Sequence, residues 1–403
     1  MFFKVDARMK APGLTGGVMR LLTGAMIFYC AGTWAAPAGN VSLIEGQAPG
    51  VPFTIGIHQF LWTMDKNQNQ IMDPDEVMVK VGGKGNWVPI AKAGPNLDLY
   101  ADCIAWERAA RHETSPCYIY KEVPGRSLKL YVDNPPHWKA SDRRPAIVWF
   151  FGGSWVVGDT ITFKPQALYF AQRGAVSIRV DYRVSSRDGC QDLGRTSLMD
   201  ARSAMRWVAK NAGLLGIDPA KIVAGGDSAG GHLALGTCLM EHINDPKDDR
   251  SIEVKPVALL LSNPWLPNSD PQVQVMNYLR APLPPMFVTF GGEKDPAYEP
   301  GKPFLARVRQ LGGKLDTLIA NEGHGFACGP KYLPITTQRM DELLQKAGLL
   351  SHEPVVALPT KTFSELLNEV NNQVAAGKAK VRRCQRGASI QLNQGATTKL
   401  KRG

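Results

Sequence analysis

Lys221-Ile-Val-Ala-Gly-Gly-Asp-Ser-Ala-Gly-Gly-His-Leu-Ala-Leu235 is the stretch whose reading decides the fold. Ile222-Val223-Ala224 is a β-branched and apolar run of the kind that forms a buried strand. Two glycines break it, and Leu233, Cys238 and Met240 then recur at helical spacing. Between strand and helix stands Gly226-Asp227-Ser228-Ala229-Gly230, which fits G-x-S-x-G. In that motif a tight turn holds the serine in a strained conformation and lifts its hydroxyl clear of the sheet. The flanking glycines avoid a collision with the neighbouring strand or helix. A bare match is weak evidence in a chain with 40 glycines. The strand before it and the helix after it make this one strong, and Ser228 is read as a nucleophile.

Outward from this turn, strands and helices alternate. A hairpin is expected over Tyr118–Val123 and Leu128–Asp133, then apolar strands at Ala146–Phe151 and Ala175–Val180. Leu198, Ala201, Met205, Val208 and Ala212 mark one face of a helix. Downstream of Ser228, strands are expected at Val257–Leu261, Met286–Phe290 and Leu315–Ile319, with helices near Phe304–Leu311 and Thr336–Lys346. This alternation predicts an α/β fold, a mostly parallel sheet with helices on both faces.

A serine hydroxyl needs a base, and the base needs an orienting acid. Four histidines follow Ser228. His232 rides on the serine's own helix, His242 lies at that helix's far end, and His352 opens an irregular tail. His324 sits in the loop Asn321-Glu-Gly-His-Gly-Phe326 directly after a strand, where an active-site base belongs. The acid should leave the sheet one strand earlier; Asp295 is chosen there, with Glu293 as runner-up. Backbone N–H donors for an oxyanion are expected from Gly152 and Gly153, after the strand at Ala146–Phe151, and from Ala229.

The formal net charge of +11 is confined to the ends. Residues 1–20 contribute +3 and the residues beyond Glu369 contribute +8, which leaves the rest neutral. No nucleic-acid partner is expected from this pattern. The basic start precedes an uncharged stretch, Leu21 to Ala38, that ends in small residues and reads as a cleaved export signal, with an uncleaved membrane anchor as the alternative. A secreted or periplasmic location follows. Excluding Cys30, the cysteines are Cys103, Cys117, Cys190, Cys238, Cys328 and Cys384. Cys103 and Cys117, close in sequence, are the expected disulfide, and Cys238 is expected to be a buried thiol.

Residues 39–60 read as loop leading into a short helix, and Leu99–Arg111 as a further helix. Asp65, Asn67, Asn69, Asp73 and Glu76 occupy positions 1, 3, 5, 9 and 12 of a calcium loop, although Gln70 stands where the turn glycine belongs. Calcium there would brace the amino-terminal region and take no part in catalysis. The organisation expected is a leader at 1–38, an extension at 39–117, a catalytic domain at 118–350 and a basic, disordered tail at 351–403 containing one helix over Ser364–Ala376.

Gly-Asp-Ser-Ala-Gly-Gly-His, Phe-Gly-Gly-Ser-Trp, Asp181-Tyr-Arg183, Gly-Gly-Glu-Lys-Asp-Pro and Gly-His-Gly-Phe together resemble the hormone-sensitive-lipase-like, acetyl esterase-like branch of the α/β hydrolases over residues 118–348. The resemblance implies ester hydrolysis through an acyl-enzyme, with no cofactor. It implies Ser228, Asp295 and His324 as the triad and Gly152, Gly153 and Ala229 as oxyanion donors. Phe151 replaces the family's histidine and Ser154 its third glycine, which implies altered support for the oxyanion loop. The usual cap is reduced to Asn263–Pro285, so the site should be open and suited to a short acyl group on a bulky alcohol such as a carbohydrate. An amidase or peptidase on the same fold and a non-catalytic binding protein are the competing readings.

Overall fold

The computed structural model describes residues 50, 52–55, 58–64, 66, 76–80, 85–89, 113–190, 192, 194–252, 255–376, 378 and 384–386. Two sheets are present. A four-stranded antiparallel sheet runs in the order β1 (Pro52–Ile55), β2 (His58–Trp62), β3 (Val77–Lys80), β4 (Val88–Pro89). Two of these strands occupy the segment expected to lead into a short helix; the alternating Phe53, Ile55 and Phe60, Trp62 suit a pleated pair better than a helix face. The segments 1–38 and Leu99–Arg111 lie outside the described residues.

The second sheet has nine strands. Its members in chain order are β5 (Cys117–Val123), β6 (Arg126–Asp133), β7 (Arg144–Phe150), β8 (Val176–Val180), β9 (Ile217–Asp227), β10 (Leu259–Ser262), β11 (Met286–Phe290), β12 (Leu315–Ile319) and β13 (Gln385–Arg386). Their spatial order is β12-β11-β10-β9-β7-β8-β6-β5-β13, and the six from β12 to β8 are mutually parallel. The hairpin β5–β6 continues antiparallel at the far side. Every residue of β8, β10 and β11 is buried. That is why β10 and β11 read as nearly continuous apolar runs, whereas β8 alternates its valines and isoleucine with the buried polar Ser177 and Arg179.

Five helices longer than two turns pack on the sheet, α1 (Lys164–Gln172), α2 (Arg195–Lys210), α3 (Ala229–Leu239), α4 (Tyr298–Gln310) and α5 (Leu333–Lys346), and a sixth, α6 (Phe363–Ala375), packs on α1. The two-residue side-chain period of β7 feeds two cores. Val148 and Phe150 join Leu198 of α2, Leu233 of α3 and Phe304 of α4 on one face. Ile147 and Trp149 join Phe163, Phe170 of α1 and Leu343 of α5 on the other. Trp149 stacks on Phe163 with ring centroids 4.8 Å apart. The glycines expected to end the central strand do not end it. β9 runs through Gly225 and Gly226 to Asp227, because Gly225 pairs beside the buried Trp149 and a Cβ there would lie 2.5 Å from its ring.

Chain order explains where the site must fall. From β7 the chain moves outward to β8, then returns past β7 to β9 and continues the opposite way. The crevice between the ends of β7 and β9 is therefore the point where winding reverses, and open parallel sheets bind ligands there.

The described part of the carboxyl-terminal segment, residues 351–376, 378 and 384–386, is held against the domain rather than disordered. α6 packs on α1 through the buried Leu367, and β13 extends the sheet beside β5. Cys117 is bonded to Cys384 across 267 residues, not to Cys103, which lies outside the described residues. Proximity in sequence misled here because the sheet brings distant chain to the β5 edge. Cys238 is only partly buried and unpaired, as are Cys190, also half-buried, and the buried Cys328. Among the described residues no helix is long and apolar enough to cross a membrane.

Closing so long a loop restricts the unfolded chain by up to about 5 kcal/mol in the chain-entropy model. Cys384→Ser is expected to lower the thermal unfolding midpoint by several degrees, and dithiothreitol to lower that of the wild type to match. Calorimetry with and without reductant checks this; a midpoint indifferent to both changes refutes it.

Candidate active site

Ser228 follows β9 and caps α3 with φ 51° and ψ −117°, a region that L-residues with a side chain rarely adopt. Three backbone hydrogen bonds impose it. The Ser228 N–H donates to the Ser262 carbonyl at 2.9 Å, while its own carbonyl accepts from His232 N–H at 3.1 Å and Trp265 N–H at 2.9 Å. The turn also requires its glycines. A Cβ on Gly230 would stand 2.0 Å from the Phe150 carbonyl oxygen, so α3 could not start so close to β7.

The structure brings the three expected side chains into line. The Ser228 hydroxyl donates to His324 Nε2 at 2.8 Å, and His324 Nδ1–H donates to Asp295 Oδ1 at 2.7 Å. Asp295, at 2% exposure, is the acid in place; Glu293 is exposed. Burial works against charge on Asp295, but the bonds from His324, Gly291 N–H (2.9 Å) and Ala297 N–H (2.9 Å) hold its carboxyl below the usual range. An ionised Asp295 accepts only, which fixes the proton of neutral His324 on Nδ1 and leaves Nε2 free to accept the serine proton. Burial disfavours the imidazolium, yet Asp295 and the nearby Asp227 charge outweigh it, and the His324 pKa is raised.

Sequence reasoning missed the residues that hold these groups. Asn263, fully buried with φ 44°, donates from Nδ2 to Asp295 Oδ2 at 2.6 Å. Trp265 meets the His324 ring edge-on at 6.1 Å. Both leave the end of β10, where a polar residue before a proline carries no periodic pattern to notice.

Gly152 and Gly153 follow β7, and Gly152 lies directly over the nucleophile: a Cβ on it would be 3.2 Å from Ser228 Cβ. Gly153 has φ 114°, and its carbonyl turns back to accept from Val156 and Val157 N–H. Ala229 opens α3, where the first-turn N–H groups have no intrahelical acceptor. Two of the expected donor positions, Gly152 and Ala229, thus adjoin Ser228. The altered residues around them are well accounted for. Phe151 stacks on Tyr182 with centroids 4.0 Å apart, and the Tyr182 hydroxyl donates to the Phe151 carbonyl at 2.6 Å. Ser154 and Trp155 both hold positive φ (57° and 59°), and Trp155 is pinned by accepting from Ser185 N–H and by edge contact with buried His232. Of the calcium candidates, only Glu76 is among the described residues; it is buried and accepts from Lys66 N–H at 2.7 Å. Asp65, Asn67, Asn69 and Asp73 lie outside them.

Known proteins share this fold and sequence pattern. Esterase 2 of Thermogutta terrifontis, solved as its tabun adduct, is 35% identical, with a TM-score of 0.57 over 59% of this chain and 97% of its own. The chain belongs to the hormone-sensitive-lipase-like branch of the α/β hydrolases. The family model BD-FAE matches residues 130–258. Carboxylesterase NlhH of Mycobacterium tuberculosis is 36% identical over 94 residues, 23% of this chain and 28% of that protein. The secreted triacylglycerol lipase LIP1 of Gibberella zeae is 31% identical over 117 residues, 26% of this chain and 19% of its own. The chain thus spans under a third of the length of these curated relatives. The carboxylesterase and esterase relatives make this an ester-hydrolysing fold family.

Asp295→Asn retains shape but lets the imidazole take the wrong tautomer. It is expected to cut kcat by roughly 10⁴-fold with little change in thermal stability. Hydrolysis of 4-nitrophenyl acetate beside a melting curve measures both, and a loss under tenfold would remove Asp295 from the triad.

Proposed function

We propose that the protein is an exported serine carboxylesterase that removes short, acetyl-type acyl groups, with a carbohydrate ester as the favoured substrate class. The observation that carries the reading is the unbroken relay from Ser228 through His324 to Asp295 beneath the Gly152–Gly153 turn. Serine Oγ attacks the ester carbonyl carbon as His324 Nε2 takes its proton. The carbonyl oxygen, now an anion, is met by the N–H groups of Gly152, Gly153 and Ala229. The intermediate collapses, His324 protonates the departing alcohol, and the acyl group remains on Ser228. Water then repeats the sequence with His324 as base and releases the acid. This chemistry is assigned to side chains and backbone alone, and no step to the calcium-type loop Asp65–Glu76.

Support for a short acyl group comes from the shape of the lid. Between β10 and β11 the chain makes only two 3₁₀ turns, Pro271–Val273 and Val275–Asn277, which is little cover for a long chain. Thermogutta terrifontis esterase 2 has been solved with propionate and with butyrate bound, both short carboxylates. The Cys117–Cys384 bond suits an oxidising compartment and so supports a secreted or periplasmic location. Retention of the leading segment would leave the protein anchored to a membrane.

The base must be neutral to act, and its folded-state pKa is raised above the ordinary 6.5. The kcat/KM for 4-nitrophenyl acetate is therefore expected to fall as pH drops, with its midpoint above 6.5. The acetate should be cleaved faster than the laurate and far faster than acetanilide. Preference for the anilide would make this an amidase, and preference for the laurate would refute the short-acyl reading.

A further inference from the structure

Asp227, between β9 and the nucleophile, has no part in the relay just described. Its placement is nonetheless peculiar. Oδ2 lies against Gly152, 2.8 Å from where a Cβ would stand, so the carboxyl fills the space that the missing side chain leaves. Oδ1 is wholly enclosed and has no hydrogen-bond partner among the described residues. Burying a carboxylate oxygen unpaired is costly, and such groups call for an explanation. The charged and titratable groups that act on it are His324, from the loop after β12, and Asp295, from the loop after β11; Cys328, four residues beyond His324, is in turn acted on by it.

We infer that Asp227 is a positioning residue of the esterase reaction, seating the oxyanion turn at Gly152 and setting through its charge the pH at which His324 becomes a working base. The inference rests on the assignment of Ser228, His324 and Asp295 as the triad. In the charged form Asp227 adds a second negative group beside the imidazole and favours imidazolium, so more alkali is needed to free the base. The same charge suits the acylation step, in which His324 gains the serine proton. Gly152 lies against Oδ2 of the same carboxyl, so oxyanion turn and base are adjusted by one group. Burial, the largest influence, pushes the Asp227 carboxyl up to about 6, while His324 opposes the rise and Asp295 adds to it. Its charge therefore changes within the range where a histidine-dependent esterase switches on.

The test is the pH dependence of kcat/KM for 4-nitrophenyl acetate in the wild type and in Asp227→Asn, which keeps the shape and removes the charge. Loss of a neighbouring opposite charge should move the acidic limb down by about one pH unit. Measured against its own plateau, the variant should be the more active at and above about pH 6, where Asp227 carries its charge in the wild type, and the two profiles should converge near pH 5, where that carboxyl is protonated. A merely structural role would lower the plateau or the melting temperature and leave the limb in place; that result overturns the proposal. Should Asp227→Asn not fold, Asp227→Ser is measured the same way, and failure of both to fold assigns the residue to structure alone and also overturns it. A wild type that does not hydrolyse the ester overturns the esterase reading itself, a different outcome from an unmoved limb.

Discussion

Everything in the site depends on one strained residue. Holding Ser228 at φ 51° costs on the order of 1–3 kcal/mol, and the surroundings must over-determine it. They do so with three backbone bonds: one to the end of β10, one from within α3 and one from Trp265. Those bonds have a second effect. They tie the nucleophile to Ser262, whose neighbour Asn263 orients the acid, and to Trp265, which flanks the base. A change that relaxed the turn would loosen the triad at several points together.

The oxyanion turn is stressed in the same way. Gly153, Ser154 and Trp155 hold positive φ in succession, and two of the three carry side chains that disfavour it. The cost is offset by a buried aromatic stack, the Tyr182 hydroxyl and the edge contact of Trp155 with His232. A buried charge cluster joins β8 and β6 to the head of α1. Arg179, fully enclosed, reaches Glu113 and Asp133, which Lys164 at the head of α1 also meets. Glu113 and Ser115 lie just before Cys117, so the disulfide and the carboxyl-terminal helix are fastened near the same foundation. The desolvation cost of such buried charges offsets much of their mutual attraction, so the network is little guide to net stability.

Much of the catalytic half was legible because its determinants are local. Strands β11 and β12 fall where apolar runs predict them, and Ser228, Asp295 and His324 are each marked by a glycine-bearing loop after a strand. What escaped notice depends on distant pairings. Asn263 gains its role only when β10 lies between β9 and β11, and Tyr182 only when β8 lies beside β7. Cys384 finds Cys117 because β13 adds to an edge strand more than two hundred residues away, a contact without local periodicity. The hairpin at Pro52–Trp62 shows the converse: Gly56 separates two short apolar runs, a local turn signal that favours paired strands over the single helix expected there.

The central claim is that Ser228 is the one activated nucleophile. Mass spectrometry of the protein treated with a fluorophosphonate measures it most directly. A single covalent adduct on the peptide bearing Ser228, absent in Ser228→Ala, is the result this account predicts. An adduct on another residue, or none on folded wild-type protein, would contradict it.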